Sequence, residues 1–414
     1  MKTTLDELAI FDGLPEFPQP VHVGRPNTGN REAFLARVNQ VLDAGYLTNN
    51  GPKVLELEER LADLLQVKHV IAVCNGTLAL ELLIRAMGLA GEVILPSLTF
   101  VATAHALSML GIIPVFCDVD PVTHNLDPQQ VERSITPKTT GILGVHLWGR
   151  ACEVVELEAL ARRYNLSLIF DAAHAFSCSQ SGRMIGNFGN AEIFSFHATK
   201  FFHTLEGGAV TTADSQLADR IRLLRNFGFA GLDNVVSIGT NAKMNEISAA
   251  MGLTLLDDLN AITAVNYKNY SLYESLLSNL PGICLVSYNV KESNNYQYII
   301  LEIDPEKAGL SRDQINDILW AENIRARRYF FPGVHRMEPY RSTSPAYTGH
   351  LPVTESLVQR LMALPNGTSI REVEIEAICN IIRLCLQNST EIKRRLSVQE
   401  SQGEESHPGQ GIEA

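Results

Sequence analysis

The chain has 414 residues, 45% of them hydrophobic, enough for two domains or for one large core with a satellite. A formal net charge of −12 argues against a broad nucleic-acid or anionic-membrane surface, yet a glycine-rich turn or a helix N-terminus can still hold a phosphate. Seven cysteines without a C-x-x-C pair, an N-terminus lacking an apolar leader, and no apolar run near the ~18 residues of a membrane span point to a reduced, cytoplasmic protein.

Residues 1–30, rich in Pro and Gly, read as an irregular arm. Phe34, Leu35, Val38, Val41 and Leu42 recur at helical spacing over 32–44, and the turn residues of 45–52 make a loop containing Asn49. A second amphipathic helix covers 54–65. Short Val/Ile/Leu-rich runs then alternate with helical patterns. Strands are predicted at 70–73, 92–95, 113–116, 140–146, 166–170, 193–196 and 208–211, with helices at 77–87, 101–110 and 154–164. Continuous apolar strands are those covered on both faces, so the alternation predicts an α/β domain, residues 31–260, around a mainly parallel sheet. A long helical pattern over 248–280 leads into the segments 283–290 and 296–303 and helices at 312–322 and 372–386, which fit a smaller α+β domain, residues 261–390. The polar stretch 391–414 is expected to be disordered.

The sequence has no G-x-G-x-x-G after a strand, no G-x-x-x-x-G-K-[ST], and no metal-ligand spacing, so neither a dinucleotide, a P-loop nor a metal is expected. Three other places carry chemistry. In IAVCNGTLAL (71–80) a strand runs straight into a helix, and Gly76 and Thr77 would offer amides and a hydroxyl to an anion, although an ordinary capped turn reads the same way. In LIFDAAH (168–174) Asp171 follows an apolar strand, where open α/β sheets bind ligands. A carboxylate there could hold a proton on a heterocyclic nitrogen or simply cap a helix, and His174 alone reads as a packed histidine. In IFSFHATKFFHTLEGG (193–208) Lys200 sits between a strand and a Gly-Gly turn. A buried lysine there has a lowered pKa and serves as an amine nucleophile, whereas a surface lysine would snorkel.

These pieces occur in order with EVILPSLTFVATAHA (92–106), PVFCDVDPVTHNLDP (114–128), VHLWGR (145–150), FDAAHAF (170–176), FSFHATK (194–200), GTNAKMNE (239–246) and RRYFFPGVH (327–335). Together they resemble the DegT/DnrJ/StrS sugar aminotransferase family over residues 20–388. The resemblance implies the fold-type I architecture of pyridoxal 5′-phosphate (PLP) transferases, with a seven-stranded sheet in the large domain. It also implies that Lys200 is the Schiff-base lysine and that Asp171 pairs with the protonated pyridine nitrogen. Gly76, Thr77 and Ser195 would hold the phosphate, Phe100 would stack on the ring, and His174 would lie near the ring face or its hydroxyl. Asn241 would reach the partner subunit's cofactor phosphate, making a homodimer with shared sites. Asn49, Tyr329 and His335 are candidates for the sugar site.

The activity so implied is amino transfer from L-glutamate to a nucleotide-linked keto-deoxysugar, with Lys200 moving a proton as general base and acid. The motifs look closest to enzymes acting at C4 of dTDP-4-keto-6-deoxyglucose. A C3-aminating or cyclitol aminotransferase, a PLP-dependent sugar dehydratase (in which histidine replaces the lysine) and a non-catalytic PLP-fold binding protein are the alternatives.

Overall fold

The computed structural model describes residues 1–343 and 351–403. Seven strands form the main sheet: β1 His69–Val73, β2 Glu92–Pro96, β3 Ile113–Cys117, β4 Thr139–Val145, β5 Ser167–Asp171, β6 Ala191–Ser195 and β7 Gly208–Thr212. Their order is β1-β7-β6-β5-β4-β2-β3. The β6-β5-β4-β2-β3 run is parallel, while β7 is antiparallel to both its neighbours. β7 returns antiparallel through the loop 196–207, which contains no helix to make the usual parallel crossover. That loop carries Lys200.

The apolar strands are explained by burial on both faces. In β1, Ile71 and Val73 pack into one core, and Val70 and Ala72 into the other. Helices α1 Arg31–Ala44 and α2 Pro52–Leu65 precede the sheet. Proline at the first position of α2 costs nothing there, since that amide has no helical partner. Helix α3, Gly76–Met87, is capped by the Asn75 side chain accepting from the Leu78 amide at 2.8 Å, and it stops at Gly88 with φ +68°. Helix α4, Val101–Ser108, starts at Phe100.

The boundary expected at residue 260 falls inside one helix, α5, Glu246–Leu277. Its N-terminal half packs against the large sheet's core, and its C-terminal half against a third core. That third core is built on a three-stranded antiparallel sheet: β8 Ile283–Leu285, β9 Ile299–Ile303 and β10 Leu361–Leu364. β10, four residues long, is absent from the sequence prediction. Helices α6 Arg312–Ala321 and α7 Glu372–Gln387 cover this sheet.

The two ends of the chain meet on this smaller unit. The arm is irregular but held: buried Glu322 accepts from the amides of Ala9 and Glu16, each at 2.7 Å. The expectation of disorder from residue 391 is corrected for the described part, because Ser389–Gly403 is a helix, α8. Ile392 is buried, and Arg395 pairs with Asp6 at 2.6 Å and lies over the Phe11 ring, which anchors a polar sequence by one face. Residues 404–414 lie outside the described residues. None of the described helices is long and apolar enough to cross a membrane.

Candidate active site

The carboxyl ends of β5 and β6 bring the chemistry together. Asp171 is the last residue of β5 and is 6% exposed. Thr103 of α4 donates its hydroxyl to Oδ2 at 2.9 Å, and the Ala173 amide donates to Oδ1 at 3.0 Å. Burial raises the Asp171 pKa, while those two donors and the charge of Lys200 pull it down. Thr103 was invisible to motif reading, since a buried threonine in a helix of alanines carries no signal of its own.

Lys200 follows β6 in a loop that folds back on itself: the Phe196 amide bonds Gly207 O at 2.8 Å and the Thr204 amide bonds Phe196 O at 2.9 Å. The lysine is partly buried and its amine donates to Tyr298 Oη at 3.2 Å. Desolvation lowers its pKa to about 8, partly offset by Asp171. An amine so tuned is largely available as a nucleophile in mildly alkaline solution. From the other side the N-terminal arm crosses the loop closely. A Cβ on Gly24, at φ +76°, would lie 3.0 Å from Thr199 Cβ, so glycine is needed there.

His174 is buried beside the Tyr298 ring, with centroids 4.4 Å apart, and its Nδ1 accepts from the Trp148 amide at 3.3 Å. Burial first, then the charge of Lys200, push its pKa well below the ordinary value, so the ring is neutral. Tyr298, like Thr103, was not anticipated. In NNYQYIILEI it looks like an ordinary aromatic at a strand start.

At the edge of this group α3 presents its first amides, from Gly76 and Thr77, which have no partner within the helix. Ser195 lies against them: a Cβ on Gly76 would come within 3.0 Å of Ser195 Cβ and 3.3 Å of its Oγ. Gly208 keeps the seat open from below, since its Cβ would fall 2.8 Å from the Gly76 nitrogen. Phe100 is 60% exposed and is not core. Its ring stands 6.4 Å from that of Phe330. An anion seat at a helix end, a buried carboxylate with two donors, a low-pKa amine and a free aromatic face together suit an aldehyde-bearing heterocycle with a phosphate.

Of the three substrate-site candidates, only Tyr329 joins this group. It lines a cavity of about 40 Å³ with Lys200, Tyr298, Gln297, Asn27 and Arg25. His335 is corrected: it is wholly buried, with Nδ1 2.6 Å from Ser97 Oγ and Nε2 3.2 Å from Glu355 Oε1, so neither nitrogen is offered to a ligand. Asn49 sits at φ +65° in the exposed loop before α2, where its carbonyl accepts from Tyr46 Oη at 3.0 Å. Asn241 is exposed, and its Oδ1 accepts from Lys243 Nζ at 2.7 Å.

Comparison with known proteins identifies the family. The profile of the DegT/DnrJ/EryC1/StrS aminotransferase family matches residues 29–383. The chain belongs to that family. This aminotransferase is 36% identical over 369 residues to the dTDP-4-amino-4,6-dideoxy-D-glucose transaminase of Escherichia coli, covering 88% of the chain and 98% of that protein. The structure of DesI in the presence of its TDP-sugar product superimposes with a TM-score of 0.91 at 46% identity, over 95% of this chain and all of that one. S. venezuelae DesV in complex with a ketimine intermediate matches at 30% identity and a TM-score of 0.80, over 86% and 95% of the two chains. Aminotransferases of this family depend on PLP, and so does this one.

Proposed function

We propose that this aminotransferase moves the amino group of L-glutamate to C4 of a nucleotide-linked 4-keto-6-deoxyhexose, best dTDP-4-keto-6-deoxyglucose, giving the 4-amino-4,6-dideoxy sugar. The observation that carries the chemistry is the Lys200 amine, hydrogen-bonded to Tyr298, its pKa lowered to about 8 by burial, and close enough to the buried Asp171 carboxylate for the two charges to act on each other. The choice of sugar rests on relatives matched along nearly their whole length: the E. coli transaminase is named for the 4-amino-4,6-dideoxy-D-glucose nucleotide, and DesI was solved with a TDP-sugar product.

In this reading PLP supplies, when bound, the aldehyde that takes up the amino group and the electron sink for the Cα–H bond. Lys200 holds the cofactor and then, released, takes and returns the Cα proton at Nζ. Asp171 keeps the pyridine nitrogen protonated, Thr103 orients Asp171, and the first turn of α3 with Ser195 receives the phosphate. Phe100 supplies a ring face. His174, neutral and wedged against Tyr298, packs at the ring without adding charge.

A homodimer with shared sites is part of the proposal. Its support is the excursion 226–241, which leaves the body and returns beside β1 through the Cys74 amide to Ala242 O bond. Along it Leu232 is 96% and Ile238 85% exposed, an apolar surface of the kind that marks an interface, with Asn241 at its end.

The deciding experiment is to add PLP to the purified protein, titrate with L-glutamate, and then add the keto-sugar nucleotide. The visible band of the lysine-bound cofactor should give way to the near-ultraviolet band of its aminated form, and the sugar should restore it. A band that ignores glutamate would overturn the donor. One that 3-keto sugars restore but 4-keto sugars do not would overturn the acceptor.

A further inference from the structure

The proton that Lys200 carries has to exist, for part of each cycle, as an ammonium in a desolvated place. Isolated buried ammonium is costly unless hydrogen-bonded. Asp171 on β5 supplies negative charge in the region, but its two oxygens already accept from Thr103 and Ala173. His174 is neutral. Across the cavity stand Tyr329 and, at its mouth, exposed Arg25, neither of which would stabilise a second positive charge as an anion does.

The group bonded to Nζ is Tyr298, at 3.2 Å, with Nζ also 5.9 Å from the centre of its ring. Tyr298 has little freedom. Its backbone amide donates to Tyr288 Oη at 3.1 Å, its carbonyl accepts from the same hydroxyl at 3.0 Å, and His174 packs on its ring. Burial, followed by the neighbouring Tyr329 and Tyr288, raises its phenol well above the ordinary range, so it stays a neutral acceptor and does not remove the proton itself.

We propose that Tyr298 is a catalytic residue whose hydroxyl accepts an N–H from Lys200 and holds that side chain in its proton-carrying form during transamination. The bond broken is Cα–H of the amino donor and the bond formed is Nζ–H. The electron pair stays on the carbon side, and the proton later returns to carbon, so Lys200 ends as it began. An uncharged acceptor suits this task because it eases the ammonium without trapping it as a close carboxylate would. Once the amino donor has displaced Lys200, the same hydroxyl is the place to which the freed amine returns.

The inference rests on the aminotransferase chemistry but not on the choice of sugar. Its test is Tyr298→Phe, which keeps the ring and leaves the backbone bonds to Tyr288 in place. Cofactor-free protein is mixed with PLP across a pH series, and the rate of visible-band growth is followed. Capture requires the neutral amine, so in the wild type the rate rises through about 8. In the variant the midpoint moves to lower pH, because the ammonium has lost its acceptor. In single turnovers with L-glutamate the variant slows on the order of 10- to 100-fold, as expected for one hydrogen bond to a charged group. Deuterium at Cα slows it further than it slows the wild type.

Tyr288→Phe, which loosens the Tyr298 backbone but leaves the acceptor, serves as the structural control and moves the midpoint less. An unmoved midpoint in Tyr298→Phe, or an equal movement in the two variants, overturns the proposal. If the wild type captures PLP and ignores glutamate, the donor assignment falls, while the capture midpoints still decide whether Tyr298 holds the ammonium.

Discussion

Ser97 Oγ lies 2.6 Å from His335 Nδ1 and also accepts the His335 backbone amide at 3.0 Å. The serine follows β2 and stands three residues before Phe100, and the histidine comes from the segment after Tyr329. The ring's far nitrogen reaches Glu355. This chain of bonds ties the loop that carries the Phe100 face to the segment that carries Tyr329. His335→Ala removes the two ring contacts, to Ser97 and to Glu355, and leaves the backbone amide bond to Ser97 Oγ in place, so it should lower stability by about 2–4 kcal/mol through the lost buried ring and its hydrogen bonds. Urea unfolding should record that loss, and PLP should bind more weakly because the loop carrying Phe100 is then tied by backbone amide bonds alone. His335→Ala with an unchanged unfolding midpoint would show the clamp to be incidental.

Mild acid should already weaken the protein. Burial holds His174 far below its ordinary pKa and lowers His335 as well, so both stay neutral in the folded chain. The unfolded chain takes protons on these side chains once the pH falls below about 6.5. It then binds more protons than the folded state, so stability declines from about pH 6.5 downwards, with each histidine contributing up to about 1.4 kcal/mol per pH unit. His174→Gln removes one of these titrations. Its stability in cofactor-free form, measured by urea at several pH values, should fall less steeply between pH 6.5 and 5 than that of the wild type.

Thr103 offers a sharper probe of Asp171 than the aspartate's own replacement. Thr103→Val keeps the shape and removes the 2.9 Å donor to Oδ2. With one donor gone, desolvation raises the carboxyl pKa further, and the carboxylate becomes a poorer partner for a protonated ring nitrogen. Turnover should fall about tenfold, in line with the ~1.5 kcal/mol of one hydrogen bond to a charged group. The visible band should remain, because Lys200 is untouched. Loss of the band in Thr103→Val would mean that the hydroxyl builds the pocket and does not merely tune it.

The sheet could be read from the sequence because both-face burial writes continuous apolar strands. Lys200 and Asp171, each open to a bland reading alone, stood out only through the order of motifs around them, and the structure brings them near enough for each charge to shift the other's pKa. Thr103, Tyr298 and β10 had no signal of either kind. Their roles come from contacts between segments far apart in the chain, such as Tyr298 with Lys200, and neither a threonine in an alanine-rich helix nor a four-residue strand departs from what any core would contain. His335 failed in the opposite way. It was a sugar-site candidate within the matched segment 327–335, but tertiary packing consumed both of its nitrogens. The polar run 391–403 misled by composition, since one apolar face, anchored by Ile392 and by Arg395 on Phe11, is enough to dock a helix.

The shared-site dimer makes a prediction that mixing can test. If Asn241 of one subunit serves the cofactor held by the Lys200 of the other, Lys200→Ala disables every site of its own homodimer and Asn241→Ala impairs every site of its own at limiting PLP. In a mixed dimer one site receives both defects, while the other combines an intact Lys200 from the Asn241→Ala chain with an intact Asn241 from the Lys200→Ala chain. Unfolding and refolding the two variants together should therefore raise activity at limiting PLP above that of either alone, up to about one wild-type site for each mixed dimer. Asn241→Ala alone should bind PLP about tenfold more weakly, the loss of one hydrogen bond to a phosphate. If co-refolding gives no such rise while mixed dimers form, Asn241 acts within its own chain. Its bond to Lys243 Nζ, beside β1 and the start of α3, would then be the place to look for its role.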